Sequence, residues 1–488
     1  MKKILVISLS ILSFNVISQD KKDIVLEDIW KSGTFRSEMV YGLRSMNDGE
    51  YYTTLDRDRG GVSINKFSYK TGELEEKIIQ SINLLPKGSS EPIRPGSYEF
   101  SADEKKMLLG TESEQIYRHS TREKNYVYDL ESKKLVELDS KGKQRYATFS
   151  PSGNKVAFVR DNNLFFKDFE NDELVQITAD GMRNQIINGA TDWVYEEEFA
   201  FDKAFFWSPK GDKIAYYRFD EASVIEFNMQ KYGQLYPVDY RFKYPKAGEE
   251  NATVQIFIYD LKTKKTVNAE LGDYEYIPRI KWTRNNDILC VFSMNRLQND
   301  LKLNMVNANT GQSQVTYSEQ SRAYIEINDY MTFLSNNSFI WLSEKDGYNH
   351  IYLIDPNGNE TQLTSGEWEV TNIYGVDEAK GLVYFQAAAK SPMQREIYSI
   401  SLKGGKMKEL STKAGTNTAD FSNGFKYFIN YHSTINQPSY ISLHRSNGKE
   451  IRVLKDNKEL NNKLKDYSIS DAEFMQIPVG NDVKLNAY

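Results

Sequence analysis

The chain has 488 residues, of which 40% are hydrophobic, 27% charged and 13% aromatic, so it is long enough for several cores. A single cysteine excludes a disulfide-stapled scaffold, and 32 tyrosines with 25 phenylalanines exclude a chain that cannot collapse. A net charge of −6 gives no bulk electrostatic case for nucleic acid, and four histidines leave few candidates for a histidine base.

Residues 1–18, MKKILVISLSILSFNVIS, have a two-lysine start and a mostly apolar run from Ile4 to Ile17. Val16 and Ser18 stand at the −3 and −1 positions of a cleavage point before Gln19. This is the pattern of a secretory signal peptide, and the run is shorter than the roughly 20 residues that span a bilayer. The expectation is an acidic chain, exported to the periplasm or the extracellular space, with no membrane span. Residues 19–40 form a separate N-terminal segment ahead of the first repeat.

Beyond residue 40 the chain reads as short strands broken by turns. One unit recurs: an aromatic, a polar turn, an apolar strand, and a further strand ending in a pair such as Asp-Leu. It is clearest at Phe149-Ser150-Pro151-Ser152-Gly153 followed by KVAFV, and at Trp207-Ser208-Pro209-Lys210-Gly211 followed by KIAYY. Weaker copies begin near Ser45, Phe100, Trp282, Phe333, Val376 and Phe421. Pro and Gly make the turn, and the apolar alternation is expected to face a neighbouring sheet. A unit of this length forms one four-stranded sheet, which cannot bury both faces alone. Eight such units packed radially predict an all-β, eight-bladed β-propeller over 41–470; an open solenoid would share the period, but the sequence shows no capping repeat, which favours the propeller.

Arg118 stands in Tyr117-Arg118-His119-Ser120, a loop after a strand of the second unit. A guanidinium there can fork onto a carbonyl or carboxylate, or can be an exposed loop arginine. The spacing stretches on both sides of Trp207, which places an insertion around 178–275. Within it lies Thr191-Asp192-Trp193-Val194-Tyr195-Glu196-Glu197-Glu198-Phe199. Three successive carboxylates are compatible with a helical turn over EEEFAFDKAF, where neighbours lie about 100° apart and two can converge on one point. Such a pair suits an ammonium group, which relieves the repulsion and donates a charge-assisted hydrogen bond to each. The alternative is a solvated acidic helix face.

Cys290, in DILCVFSM, reads as a buried strand residue. His119, His350, His432 and His444 all fall within repeats or their loops, and no G-x-S-x-G string occurs, so no catalytic residue is assigned. No cofactor is indicated, and no zinc, since neither a His-Cys cluster nor H-E-x-x-H occurs. The final FMQIPV-GND-VKLNAY, within 471–488, reads as a hairpin.

DWVYEEE, preceded by NGAT and followed by WSPKGDKIAYYRFD, resembles the N-terminal propeller of dipeptidyl peptidase IV-type serine exopeptidases of the prolyl oligopeptidase superfamily. The resemblance runs through YRHS with its strand YVYDL, through Tyr244-Pro245-Lys246-Ala247-Gly248, and through SEKDGYNHIYLID and SGEWEV, over roughly 26–488. It implies eight blades. It implies that Glu197 and Glu198 bind a substrate's free amino group and that Arg118 contacts the backbone of its first two residues; Glu196 is not expected to touch the amine. It implies release of Xaa-Pro and Xaa-Ala dipeptides by a protein whose Ser/Asp/His domain follows the propeller. Residues 471–488 would open that α/β-hydrolase domain and Asp23–Gly33 would pack on it, so this chain would be inactive alone. A homodimer is a further implication. Two departures stand out: Ala252 lies where a proline is common, and Ser321–Asp329 shows no clear equivalent of the second substrate arginine of the animal enzymes. The alternative function is a non-catalytic exported propeller that binds peptide N-termini or scaffolds a partner.

Overall fold

The computed structural model describes residues 21–40, 42–58 and 61–488, so the signal-peptide expectation lies outside the described residues. Eight antiparallel sheets follow one another along the chain. Blade one comprises Arg44–Ser45, Tyr51–Asp58, Gly61–Ser68 and Leu74–Gln80, and blade eight comprises Thr416–Phe421, Tyr427–Thr434, Gln437–Arg445 and Glu450–Lys455. Between them lie six further sheets, which gives the eight-bladed propeller that the repeat predicts.

Each aromatic of the repeat ends the first strand of its blade, as Phe149 ends Arg145–Phe149 and Trp282 ends Ile280–Trp282. The polar turn therefore joins the first and second strands. The second strand departs from the expected alternation. In Lys155–Arg160 the run Val156, Ala157, Phe158 and Val159 is wholly buried. Each blade is covered on both faces by its neighbours, so both sets of side chains must be apolar. The last strand returns to polar residues, as in the fully exposed Glu360–Gln362, and so lies on the outer rim. The first strand then faces the axis.

The turns also fasten the ring. The amide of Lys210 donates to Asn286 Oδ1 at 2.9 Å, that of Arg284 to Asn337 Oδ1 at 3.0 Å, and that of Ser335 to Glu378 Oε2 at 2.8 Å. Each bond passes from one blade to the next. Gly211, with φ +70°, sits where a Cβ would press on Pro151 of the preceding turn, 3.0 Å away.

Blades one and eight are each built from contiguous chain, so no strand is exchanged across the closure. Side chains seal it. The Asn423 amide donates to Ser45 Oγ at 3.0 Å, Lys426 Nζ to Glu50 Oε1 at 2.9 Å, and Arg452 Nη2 to the Tyr69 carbonyl at 3.3 Å. Gly49 stands at this seam with φ +66°, and a Cβ there would collide with the Asn423 carbonyl. Gly49→Ala is expected to destabilise the protein by about 2–4 kcal/mol, from left-handed strain plus overpacking, read as a lowered urea midpoint. Gly381→Ala, also at positive φ but with no atom within 4 Å of the new Cβ, isolates the conformational part.

Blade four carries the insertion. Its innermost position is split into Ile186–Asn188 and Phe205–Trp207, which pair end to end along one edge of Lys213–Asp220. The chain between the two halves leaves the sheet. A second excursion, the hairpin Glu226–Lys231 with Val238–Lys243, leaves between Lys213–Asp220 and Thr253–Asp260. At the C-terminal side, Met475–Gly480 pairs with Val483–Ala487 as the expected hairpin. It exposes Ile477, Val479, Val483 and Leu485, and the segment Leu26–Trp30 exposes Leu26 and Trp30. Among the described residues no helix is long and apolar enough to cross a membrane.

Candidate functional site

The excursion from the split strand of blade four folds as a six-residue helix, Trp193–Glu198. It begins earlier than expected and stops at the last glutamate, instead of continuing through FAFDKAF. The local chemistry explains both ends. Asp192 is an N-cap: its Oδ1 accepts the Tyr195 amide at 3.0 Å. Ala200 adopts φ +55°, which ends the helix and returns the chain to the strand Phe205–Trp207.

Three side chains then fix the helix. The Tyr195 hydroxyl accepts the Ile277 amide at 2.9 Å, and its ring meets Phe219 edge-on at 4.8 Å. Trp193 lies against Tyr244 of the YPKAG string, ring centres 4.1 Å apart. Glu196 is wholly buried, and its Oε1 accepts the amides of His119 at 2.8 Å and Ser120 at 2.9 Å. The latter two belong to the Tyr117–Ser120 loop of blade two. That loop is tight in its own right, with the Ile116 amide on the Ser120 carbonyl at 2.8 Å and Gln115 Nε2 on the Arg118 carbonyl at 2.9 Å.

With loop and helix joined in this way, Arg118 Nε lies 2.9 Å from Glu197 Oε2. Arg118 is 71% exposed and Glu197 15%. A pair this open contributes little stability, about 0–1 kcal/mol, so both groups stay available to a ligand. Glu198, one residue on, is exposed and turns to a cavity of about 1330 Å³ whose wall includes Arg279, Arg322, Tyr324 and Asp329. Arg279 is paired there with Asp329 at 2.5 Å. Arg322 makes no ion pair among the described residues. The three sequence-assigned residues are therefore gathered at one place, Arg118 and Glu197 in contact and Glu198 beside them at the cavity. Two contributors were not legible in sequence. One is the buried bond acceptor Glu196. The other is Arg322, which lies inside the Ser321–Asp329 stretch and shares the cavity with Glu198.

The histidines lie elsewhere. His350 bonds Thr364 and the Gly366 carbonyl, His432 the Ala414 carbonyl, and His444 Ser442 and the Gly448 carbonyl. The His119 residue is exposed and meets Glu196 through its backbone. His444 is buried with both ring nitrogens bonded, which leaves it no free nitrogen to act as a base, and burial pushes the Cys290 thiol far up, so it is no ready nucleophile. No metal-binding cluster of His, Cys, Asp or Glu occurs among the described residues.

Burial raises the Asp192 carboxyl to about 7, and Glu221 is raised to about 7 by burial and then by the Asp192 charge. Both line a second cavity, of about 550 Å³, behind the helix. A carboxyl whose folded pKa exceeds its unfolded value favours folding fully below the unfolded value, near 4, and loses that contribution as pH rises toward 7. Asn caps a helix as well as Asp does, and it carries no charge to bury. Asp192→Asn is thus expected to match the parent in melting temperature at pH 4. It should exceed the parent by a margin that grows up to pH 7, reaching about 2–4 kcal/mol, and then levels off.

Comparison with known proteins places this geometry. Residues 101–439 match the family model for the dipeptidyl peptidase IV (DPP IV) N-terminal region. The crystal structure of Porphyromonas gingivalis dipeptidyl peptidase 4 superposes with a TM-score of 0.88 at 40% identity, covering 96% of this chain and 66% of that one. The dipeptidyl peptidases 4 of Trichophyton rubrum and Trichophyton tonsurans are each 29% identical over 475 residues, 92% of this chain and 59% of theirs. The chain spans about three-fifths of the length of the curated relatives it matches. With eight blades, a split inner strand in the fourth and a family match over most of its length, the chain belongs to the dipeptidyl peptidase IV N-terminal propeller family.

Proposed function

We propose that this chain is the peptide-anchoring propeller of an exported serine dipeptidyl peptidase, and that it recognises substrates by their free N-terminus. The contact between Arg118 and Glu197 carries the reading: a loop of blade two and a helix of blade four bring a cation and an anion to the same point, beside a second anion, Glu198. A peptide ammonium group placed between Glu197 and Glu198 donates a charge-assisted hydrogen bond to each, worth roughly 1.5–3 kcal/mol apiece. Arg118 is then free to turn one edge of its guanidinium to the peptide's first carbonyls while the other edge stays on Glu197. An acetylated N-terminus has neither the charge nor the donors, and leaves both carboxylates unpaired.

The whole protein, on this reading, releases Xaa-Pro and Xaa-Ala dipeptides. Its hydrolase domain packs on the exposed apolar faces of Leu26–Trp30 and of the Met475–Ala487 hairpin, and residues 1–18 direct export. The names of the relatives, dipeptidyl peptidases 4, support the dipeptide register. Calorimetric titration of the 488-residue chain with an Ala-Pro peptide, free and N-acetylated, tests the anchoring. Binding of the free form alone is expected, and equal or absent binding overturns it.

A further inference from the structure

The three glutamates of the run are chemically identical and adjacent, yet the structure gives them different environments. Glu196 is fully buried, Glu197 is mostly covered beside Arg118, and Glu198 is open to the cavity. A helical turn separates neighbours by about 100°, so one of three must point away from the face shared by the other two. Burying a carboxylate is costly, and a protein keeps one only where strong donors meet it. Here the donors are two consecutive backbone amides, His119 and Ser120, on a single oxygen. The second oxygen, Oε2, has no partner and no access to solvent. A leucine would fill that space with less desolvation cost, so stability alone does not account for the acid.

From this we infer that Glu196 is a positioning residue, whose carboxylate ties the Arg118 loop of blade two to the helix of blade four and thereby sets the separation of Arg118 from Glu197 and Glu198. The inference rests on the amine-anchoring reading above. The loop and helix belong to blades that are not neighbours in the ring, with blade three between them. The Arg118–Glu197 contact is too exposed to hold such a junction itself. Without the two bonds from Glu196, the loop keeps its internal hydrogen bonds, the exposed Arg118–Glu197 pair and the contacts of Tyr117 with the blade-four hairpin, at Tyr240 and at the Phe242 ring 5.9 Å away. Arg118 then samples positions in which its guanidinium is off both the glutamate and the peptide.

Two substitutions grade the tie. Glu196→Gln keeps an acceptor oxygen of the same reach but loses the charge, and Glu196→Ala removes the acceptor. Two measurements on the full 488-residue chain are paired: the affinity for a free Ala-Pro peptide, and hydrogen exchange of the fragment covering Tyr117–Ser120. Expected are unchanged global unfolding for Gln, exchange of this fragment about 10-fold faster, and affinity 3- to 10-fold weaker. Ala should weaken affinity at least 30-fold with the fragment unprotected; should Ala not fold, the Gln variant alone decides. Wild-type affinity in folded Gln with unchanged exchange overturns the inference. So does weakened affinity with the fragment's exchange untouched, since Glu196 would then act on the amine directly. A wild-type chain that binds neither free nor acetylated peptide refutes the anchoring reading instead, while loss of protection in the variants still reports the tie.

Discussion

Glu197→Gln and Glu198→Gln are each expected to weaken binding of a free-amine Ala-Pro peptide by about 10- to 150-fold, with no change in melting temperature beyond about 0.5 kcal/mol equivalent. Glutamine keeps the shape and one acceptor oxygen but not the charge. What is lost is the charge-assisted part of each bond and the attraction to the ammonium. Neither side chain is buried without a solvent-accessible alternative, so the fold has no stake in the charge. The two variants should differ in one respect. Glu197 also holds Arg118 at 2.9 Å, so Glu197→Gln loosens the arginine as well and should cost more than Glu198→Gln. Affinity for the acetylated peptide should be weak in all forms, which makes the ratio of free to acetylated binding the cleaner readout. Joined to a hydrolase domain, either variant should lose most dipeptide release. Near-normal binding by both variants would remove the basis of the proposed function.

Phe205→Ala is expected to cost about 3–5 kcal/mol of stability, the largest effect of any single substitution considered. Phe205 is wholly buried in the second half of the split inner strand, in a cluster that also holds Tyr195, Phe199, Tyr217 and Phe219. These rings come from the helix and from the strands that flank it, so the neighbours cannot close over the space without moving the helix. The cavity term therefore adds to the lost transfer energy. Free-amine affinity should fall together with stability, because Tyr195 of the helix and Phe199 at its C-terminal end rest on the same cluster. Leu235→Ala, at 91% exposure on the blade-four hairpin, is the control and should change stability by less than about 0.5 kcal/mol. A denaturant midpoint for Phe205→Ala equal to that of Leu235→Ala would show that the helix is not supported from below as described.

Much of this architecture is written in local pattern. Turn residues and apolar strands recur because each blade solves the same problem, and a polar turn after an aromatic is sufficient to mark where the first strand stops. The uneven spacing around Trp207 marks the blade that carries extra chain. Elsewhere local reading fell short for identifiable reasons. The run VAFV in Lys155–Arg160 was expected to alternate, but coverage of both sheet faces by neighbouring blades requires apolar residues at every position. The helix was expected over EEEFAFDKAF, but Asp192 starts it earlier and the pairing of Phe205–Trp207 with Lys213–Asp220 claims the later residues for a strand. A hydrogen-bonded ladder with a buried face outweighs the weak helical preference of two more turns.

The sequence by itself determined the number of blades, the position of the insertion and which charged residues stand at its tip, because repeat period, turn chemistry and clustered charge are properties of neighbouring residues. Only the tertiary structure decided that Arg118 meets Glu197, that Glu196 turns inward to hold the Arg118 loop, and that Arg322 shares the Glu198 cavity. Those relations join residues on different blades. Closing the ring sets the distance between them, and nothing in the local chain encodes that distance.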